Sequence, residues 1–267
     1  MPRPRHLPRT SAEVAPWSWA IFGGTLGLIL AMALLAPASW LAAALDQMTA
    51  GRVQIVEPVG TVWTGSGKLL LTGGAGSRDR AALPGRARWK LHPQGFALAL
   101  ELSADCCTPQ PLKARVIPHW GGVTLQIVDT KSQWPASLLT GLGAPWNTLQ
   151  ARGSLQLITQ DLSIKWVQQQ PTVTGRAELT AIALSSSLTT LKPMGSYQLS
   201  LIGATTNEFK LITLEGGLQL SGNGRWVGPR LNFKGVASAA PGYEAELANL
   251  LNIIGRRNGP NSIISLG

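Results

Sequence analysis

The sequence predicts a mainly β protein carried behind one N-terminal membrane helix, and three observations predict it. An apolar run of about 20 residues near the N-terminus carries no charge, the length a bilayer core needs. Beyond Leu45 the chain breaks into short alternating runs punctuated by glycine, the period-2 pattern of half-buried strands. Only two short stretches beyond that point have helical spacing. The expected architecture is a transmembrane helix followed by an antiparallel meander sheet of repeated hairpins, with one or two short helices.

The membrane element comes first. From Val14 to Leu45 there is no charged residue, and Trp17–Ala36 is apolar on every side, without the polar stripe of a surface helix. Trp17 and Trp19 at one end and Trp40 beyond the other fit interfacial aromatic belts. Arg3, Arg5 and Arg9 precede the run, whereas Asp46 and then Arg52 follow it. Basic residues on the short side place that side in the cytoplasm and the large C-terminal part across the membrane. The expected division is a cytoplasmic tail over 1–16, an anchor over 17–40 and a periplasmic β-rich domain over 46–267, with a subdivision near 141–149. The competing reading is a cleaved signal peptide, since Ala36-Pro37-Ala38 and Ala42-Ala43-Ala44 have the A-x-A form. The run exceeds the usual signal h-region, which favours an uncleaved anchor.

In the exported part, Arg52–Glu57 (RVQIVE), Gly67–Leu71 (GKLLL), Gly95–Leu102 (GFALALEL) and Gly122–Val128 (GVTLQIV) read as strands. A smaller theme then recurs: Gly153–Leu157 (GSLQL), Gly175–Leu179 (GRAEL), Gly195–Leu199 (GSYQL) and Gly216–Leu220 (GGLQL). Spacing of about 20 residues allows two strands and two turns per unit, the mark of a repetitive meander. Ser132–Gly143 has Trp134, Leu138 and Leu142 at four-residue spacing and is expected as a helix with Pro135 in its first turn. Gly242–Gly255 places Tyr243, Leu247, Leu250, Leu251 and Ile254 on one face, with Gly255 suited to the left-handed cap position. Thr72–Arg80 (TGGAGSRDR) reads as a loop.

Composition narrows the function. Hydrophobic residues make up 45% of the 267 and charged residues 13%, which excludes a disordered chain. Glycine (30) and proline (18) are frequent, as in a turn-rich β protein. The formal charge is +10, and setting aside Arg3, Arg5, Arg9 and Glu13 leaves about +8 on the remainder. These charges are scattered at alternate strand positions. Arg86, Arg88 and Lys90 share one face and Ala87, Trp89 and Leu91 the other, as on a solvated strand face. A lipid-headgroup or partner patch is the alternative, and an exported domain leaves no role for nucleic acid.

Catalytic patterns are missing. His6, His92 and His119 share no metal-ligand spacing, and no HExxH, CxxC or GxSxG occurs. Gly65-Ser66-Gly67-Lys68 resembles the end of a phosphate-binding loop, but Val62 and Leu69 break the motif and a turn is expected instead. The carboxylates are scattered, so no acid/base pair is expected, nor any cofactor or metal. Cys106 and Cys107 are adjacent; in an oxidising compartment a vicinal disulfide, an intermolecular pair and the reduced form all stay open.

Several segments read in order resemble the N component of the bacterial type II secretion system. They are Gly60–Gly67 (GTVWTGSG), the Leu83–Leu91 strand with Pro93 and Gly95 after it, and Trp134-Pro135 running on to Gly153–Leu157. Gly195–Leu201, Gly216–Trp226, Phe233-Lys234-Gly235 and the C-terminal helix with Arg256 and Arg257 complete the series. The resemblance implies a non-enzymatic, bitopic inner-membrane subunit with a β-rich periplasmic domain, whose partners are the secretin and the assembly-platform membrane proteins. It carries over no catalytic residue. On the residues themselves, the candidates for an interaction surface are Trp63 in its turn with Gly60 and Gly65, and Arg86 with Arg88. For Trp63 the competing reading is a core anchor under its own sheet. A reading from a different class is a periplasmic lipid-transfer or envelope-maintenance protein, with a lipid as partner on an apolar β groove.

Overall fold

The computed structural model describes residues 17–167, 170–203, 207–227 and 230–266. The expected cytoplasmic tail therefore lies outside the described residues. The chain divides into two units, Met1–Ala36 and Pro37–Gly267.

The first unit holds α1 (Trp17–Leu34), an 18-residue helix without a charged residue whose described side chains are all exposed. Among the described residues no helix is long and apolar enough to cross a membrane. At about 1.5 Å per residue α1 is about 27 Å long, shorter than a full span of the expected run. It stops ahead of Pro37, whose ring disfavours the helical conformation of the residue before it. Trp40, expected to border the same membrane segment, sits instead on α2 (Ala38–Met48).

The second unit opens with α2 and continues as β1 (Val53–Gly60), β2 (Thr64–Thr72), β3 (Arg80–Ala82), β4 (Ala87–Gln94), β5 (Ala97–Ala104), β6 (Leu112–His119), β7 (Gly122–Ile127) and β8 (Thr130–Pro135). A 3-10 helix (Ala136–Leu142) and α3 (Trp146–Leu149) lead to β9 (Arg152–Val167), β10 (Gln170–Ser185), β11 (Gly195–Gly203), β12 (Glu208–Gly216), β13 (Leu218–Val227) and β14 (Arg230–Ala239). The chain closes with α4 (Glu244–Ile254), β15 (Arg256–Asn258) and β16 (Asn261–Leu266). Among the described residues all 16 strands join one antiparallel sheet in the order β1-β2-β4-β5-β6-β7-β9-β10-β11-β12-β13-β14-β16-β15, with β3 added to β2 and β8 to β9.

Two of its strands are broken in the same way. β4 and β3 share one edge of β2, separated by Pro84-Gly85. β7 and β8 share one edge of β9, and there the Asp129 carboxylate accepts the Asp161 backbone N–H at 2.7 Å across the break. Asp161 takes a positive φ of 48°, the mark of a bulge that bends a long strand.

Alternation along these strands sorts the sheet into a polar face and an apolar one. Leu157, Leu179, Leu199 and Leu211 stand in one row across β9–β12. Ala177, Leu201 and Phe209 form the next. On β5–β10, Leu98, Val116, Leu125, Ile164 and Val173 make a third. The helices pack on β1–β3, β9 and β14–β16, so the apolar face is plugged mainly at one end of the strands. There Leu247, Leu250 and Leu251 of α4 are fully buried against Leu155, Tyr197, Leu218 and Ala237. A second cluster joins Leu83, Ala104, Cys107 and Leu138. Leu98, Val116, Leu125 and Ile164 belong to neither and stay half-buried.

Three local expectations need correction. Ser132–Pro135 is strand, not helix, because its backbone pairs with Leu157–Ser154 of β9; only the 3-10 helix follows it. Gly65–Lys68 is not a turn but part of β2, paired on both edges for much of its length. Gly255 ends α4 with φ −169°, an extended residue and not a left-handed cap. Glycine is needed there because a Cβ would meet the Ile263 carbonyl oxygen at 2.5 Å.

Candidate functional site

The β1–β2 turn, Thr61–Trp63, is held by its own backbone and by one side chain from the neighbouring strand. Thr61 N–H donates to the Thr64 carbonyl at 2.9 Å, and the Thr61 hydroxyl accepts from Thr64 N–H at 3.1 Å. Gly60 enters the turn at φ +97°, where a Cβ would stand 2.5 Å from the Thr64 carbonyl oxygen. Trp89, on β4, is 3% exposed. Its indole N–H donates to the carbonyls of Val62 at 3.1 Å and Thr61 at 3.3 Å, so two carbonyls that the turn leaves outside the ladder gain a donor. The ring reaches them by lying on Gly65, whose Cβ would be 2.5 Å from Trp89 Cζ2. Both glycines thus follow from close backbone approach. Trp63 itself is half-buried, and its carbonyl accepts the Leu91 N–H at 2.6 Å, tying the turn to β4.

Arg86 lies beside a bulge in β1. Glu57 has a positive φ of 50°, and the β1–β2 register shifts between Val56 and Val59. The Arg86 guanidinium donates to the carbonyls of Glu57 at 2.8 Å and Ser66 at 3.2 Å, and to the Ser66 hydroxyl at 3.2 Å. It closes the gap that the bulge opens. Lys68 Nζ donates to the Glu57 carboxylate at 2.8 Å. That bond, then the Lys68 charge, and more weakly the Arg86 charge, hold the exposed Glu57 carboxyl below its usual range against a small desolvation effect. Arg88 is exposed and ion-paired to Asp105. A shallow open cleft runs past the turn, lined by Val59, Thr64, Ser66, Arg88, Lys90 and Glu101. The structure therefore gathers Gly60, Trp63, Gly65, Arg86 and Arg88 at one corner of the sheet, across β1, β2 and β4.

The histidines are not brought together: His92 lies opposite Ala99 on β4 and His119 opposite Gly122 on β6. Among the described residues no three His, Cys, Asp or Glu side chains are placed to hold a metal ion. Cys106 and Cys107 are bonded to each other in the turn after β5; Cys106 is exposed and Cys107 buried, with the Cys107 carbonyl accepting Gln133 N–H at 2.9 Å. Sequence reasoning missed the indole cap and the β1 bulge. The bulge had a signal, since Glu57-Pro58 puts a proline inside an alternating run. The cap had none, because Trp89 reads only as an inward strand residue.

Residues 51–263 match the family model described as Type II secretion system (T2SS), protein N. The chain belongs to that family. The match starts two residues before β1 and ends inside β16, so it covers nearly the whole sheet. No curated protein and no solved structure matches the chain. As a protein N, the chain is a component of the type II secretion machinery of the bacterial envelope, and other components of that machinery are its partners. The family is not a known enzyme family.

Proposed function

We propose that this protein N is a non-enzymatic subunit anchored in the inner membrane by the 17–40 segment, with its sheet in the periplasm, linking the assembly platform to the secretin by protein–protein contacts. The family match along 51–263 carries the reading. The anchor is supported by the charge-free run of α1 and its uniformly exposed apolar side chains, and the orientation by Arg3, Arg5 and Arg9 ahead of it. The contact surface we assign to the corner around Trp63, Arg86 and Arg88. A half-buried aromatic beside a charged open cleft combines the residue types that dominate protein interfaces. Photoreactive residues at Trp63 and at Arg88, crosslinked in intact envelopes, test this. Adducts with secretin or platform proteins support it; adducts with lipid alone overturn it.

One observation favours a second reading, a lipid-handling protein of the envelope. Apart from the buried Val173, the apolar rows of β5–β12 are only half-buried and offer no polar side chain, which suits a hydrocarbon chain. Loss of secretion on deletion supports the first reading. Envelope leakiness with secretion intact, together with lipid co-purifying with the full chain, supports the second.

A further inference from the structure

In the antiparallel meander β4, β6 and β9 run in one direction and β5, β7 and β10 in the other, so the hairpin tips after β4 and β6 fall on the same rim of the sheet. This rim is opposite the end plugged by α4. At the two tips stand Phe96 and Trp120, which are 97% and 103% exposed. Both turns contain a glycine with positive φ, Gly95 (62°) and Gly121 (83°), which supplies the reversal. The remaining turn position makes no demand for an aromatic, and neither ring is covered by the protein. Neighbouring strands are about 4.8 Å apart, so tips two strands apart stand about 10 Å from each other. An isolated exposed apolar side chain needs no explanation, but two aromatics at full exposure on successive tips of one rim do.

The charges beside them point to the occupant. Lys90, Arg115 and Lys165 are exposed on β4, β6 and β9, at four, four and two residues before the ends of those strands on this rim. Among the described residues none has a carboxylate within ion-pair distance, while the nearby Glu101 is engaged by Lys113 at 3.3 Å. Separate aromatic points backed by unneutralised basic groups do not make the flat, hydrogen-bonding surface of a protein interface. They match a lipid headgroup layer, where aromatic rings sit at the apolar boundary and lysine and arginine meet phosphates.

We propose that the Phe96–Trp120 rim docks onto an anionic phospholipid bilayer, the aromatic tips entering the headgroup region and Lys90, Arg115 and Lys165 facing the phosphates. The proposal does not rest on the secretion reading. The test uses the full chain reconstituted in phosphatidylcholine vesicles with and without phosphatidylglycerol. A solvatochromic amino acid replaces Phe96, Trp120 or, as control, Gln110, which is exposed between β5 and β6 at the opposite end of the same strands. Acyl-brominated lipid is then the quencher. The expected result is a blue shift with strong quenching at 96 and 120, little at 110, and dependence on phosphatidylglycerol. In the K90Q/R115Q/K165Q variant, quenching at both tips falls toward the control value. Equal quenching at 96, 120 and 110, or quenching indifferent to phosphatidylglycerol, overturns the proposal, as does capture of a protein and no lipid when photoreactive residues occupy both tips in intact envelopes. Unchanged thermal unfolding of each variant shows that the sheet itself is intact.

Discussion

The Trp89 indole lies on Gly65 so closely that no Cβ fits between them, and from there its N–H reaches both turn carbonyls ahead of Trp63. The two residues are directly opposed in the β2–β4 pairing. Gly65→Ala is expected to force the ring or the backbone aside and to destabilise the chain by about 1–3 kcal/mol, as overpacking does. Trp89→Phe keeps much of the volume and removes the donor, at a cost of about 1 kcal/mol or more. Because they act on one contact, the double variant is expected to lose less than the sum of the two. Chemical unfolding of the full-length protein in detergent reads all three; additive losses would show that the two residues are independent.

Arg86 is expected to matter for stability through the bulge at Glu57. Arg86→Ala removes a charged donor from two carbonyls and a hydroxyl, and a loss of about 1–2 kcal/mol is expected after allowance for its partial exposure. Arg86→Lys recovers little, since one ammonium cannot copy a planar fork. Hydrogen exchange should rise between Val56 and Ser66 and nowhere else. The Glu57 carboxyl has a folded-state value below its ordinary 4.5, so its contribution is present above that pH and is lost as pH falls through the lowered value. Glu57→Gln should therefore lower stability slightly at neutral pH, leave it unchanged at low pH, and so flatten the acid limb of the stability curve. A variant that destabilised equally at pH 3 and pH 7 would contradict that sign.

Tyr197 gives the opposite pH signature. Its hydroxyl is buried and donates to the Leu218 carbonyl at 3.1 Å, and burial pushes its ionisation well above the ordinary 10.0. Below pH 10 both states keep the proton and nothing changes. Above it the unfolded chain ionises first, so stability falls as pH rises toward the folded value. Tyr197→Phe is expected to cost about 1 kcal/mol at neutral pH from the lost bond and to make the alkaline loss shallower. Unfolding of both proteins at pH 8 and pH 11 checks it; parallel curves would rule out Tyr197 as the source.

Strand existence was legible because alternation and glycine spacing are local properties. Three of the four GxLxL-type runs lie within strands of the meander, the fourth (Gly216–Leu220) spans the turn from β12 into β13, and α4 follows its leucine stripe. Ser132–Pro135 misled because leucine and tryptophan at four-residue spacing suit a helix, while pairing with β9, a non-local event, decides the matter. The functional corner was half legible. Gly60, Trp63 and Gly65 mark a tight turn in sequence, but their reason lies in Trp89, which is 24 residues from Gly65 along the chain and adjacent only through the β2–β4 ladder. The rim was illegible for a similar cause: Phe96 and Trp120 look unrelated until strand order puts their tips side by side.

The cysteine pair offers a way to separate a covalent effect from a packing effect. A bond between adjacent residues closes the smallest ring possible, so it restricts the unfolded chain little. The two side chains differ in surroundings: Cys106 is exposed, whereas Cys107 is 3% exposed among Leu83, Ala104 and Leu138. Cys106→Ser and Cys107→Ser both abolish the bond, yet only the second buries a hydroxyl in an apolar cluster, a cost of about 1–3 kcal/mol. Cys107→Ala, which keeps the site apolar but leaves a small void, should fall between them. Unfolding of the three variants, with Cys106 and Cys107 quantified by thiol labelling of the parent protein, decides the point. Equal losses at both positions would mean that the covalent link, and not the packing of Cys107, holds this turn against the core.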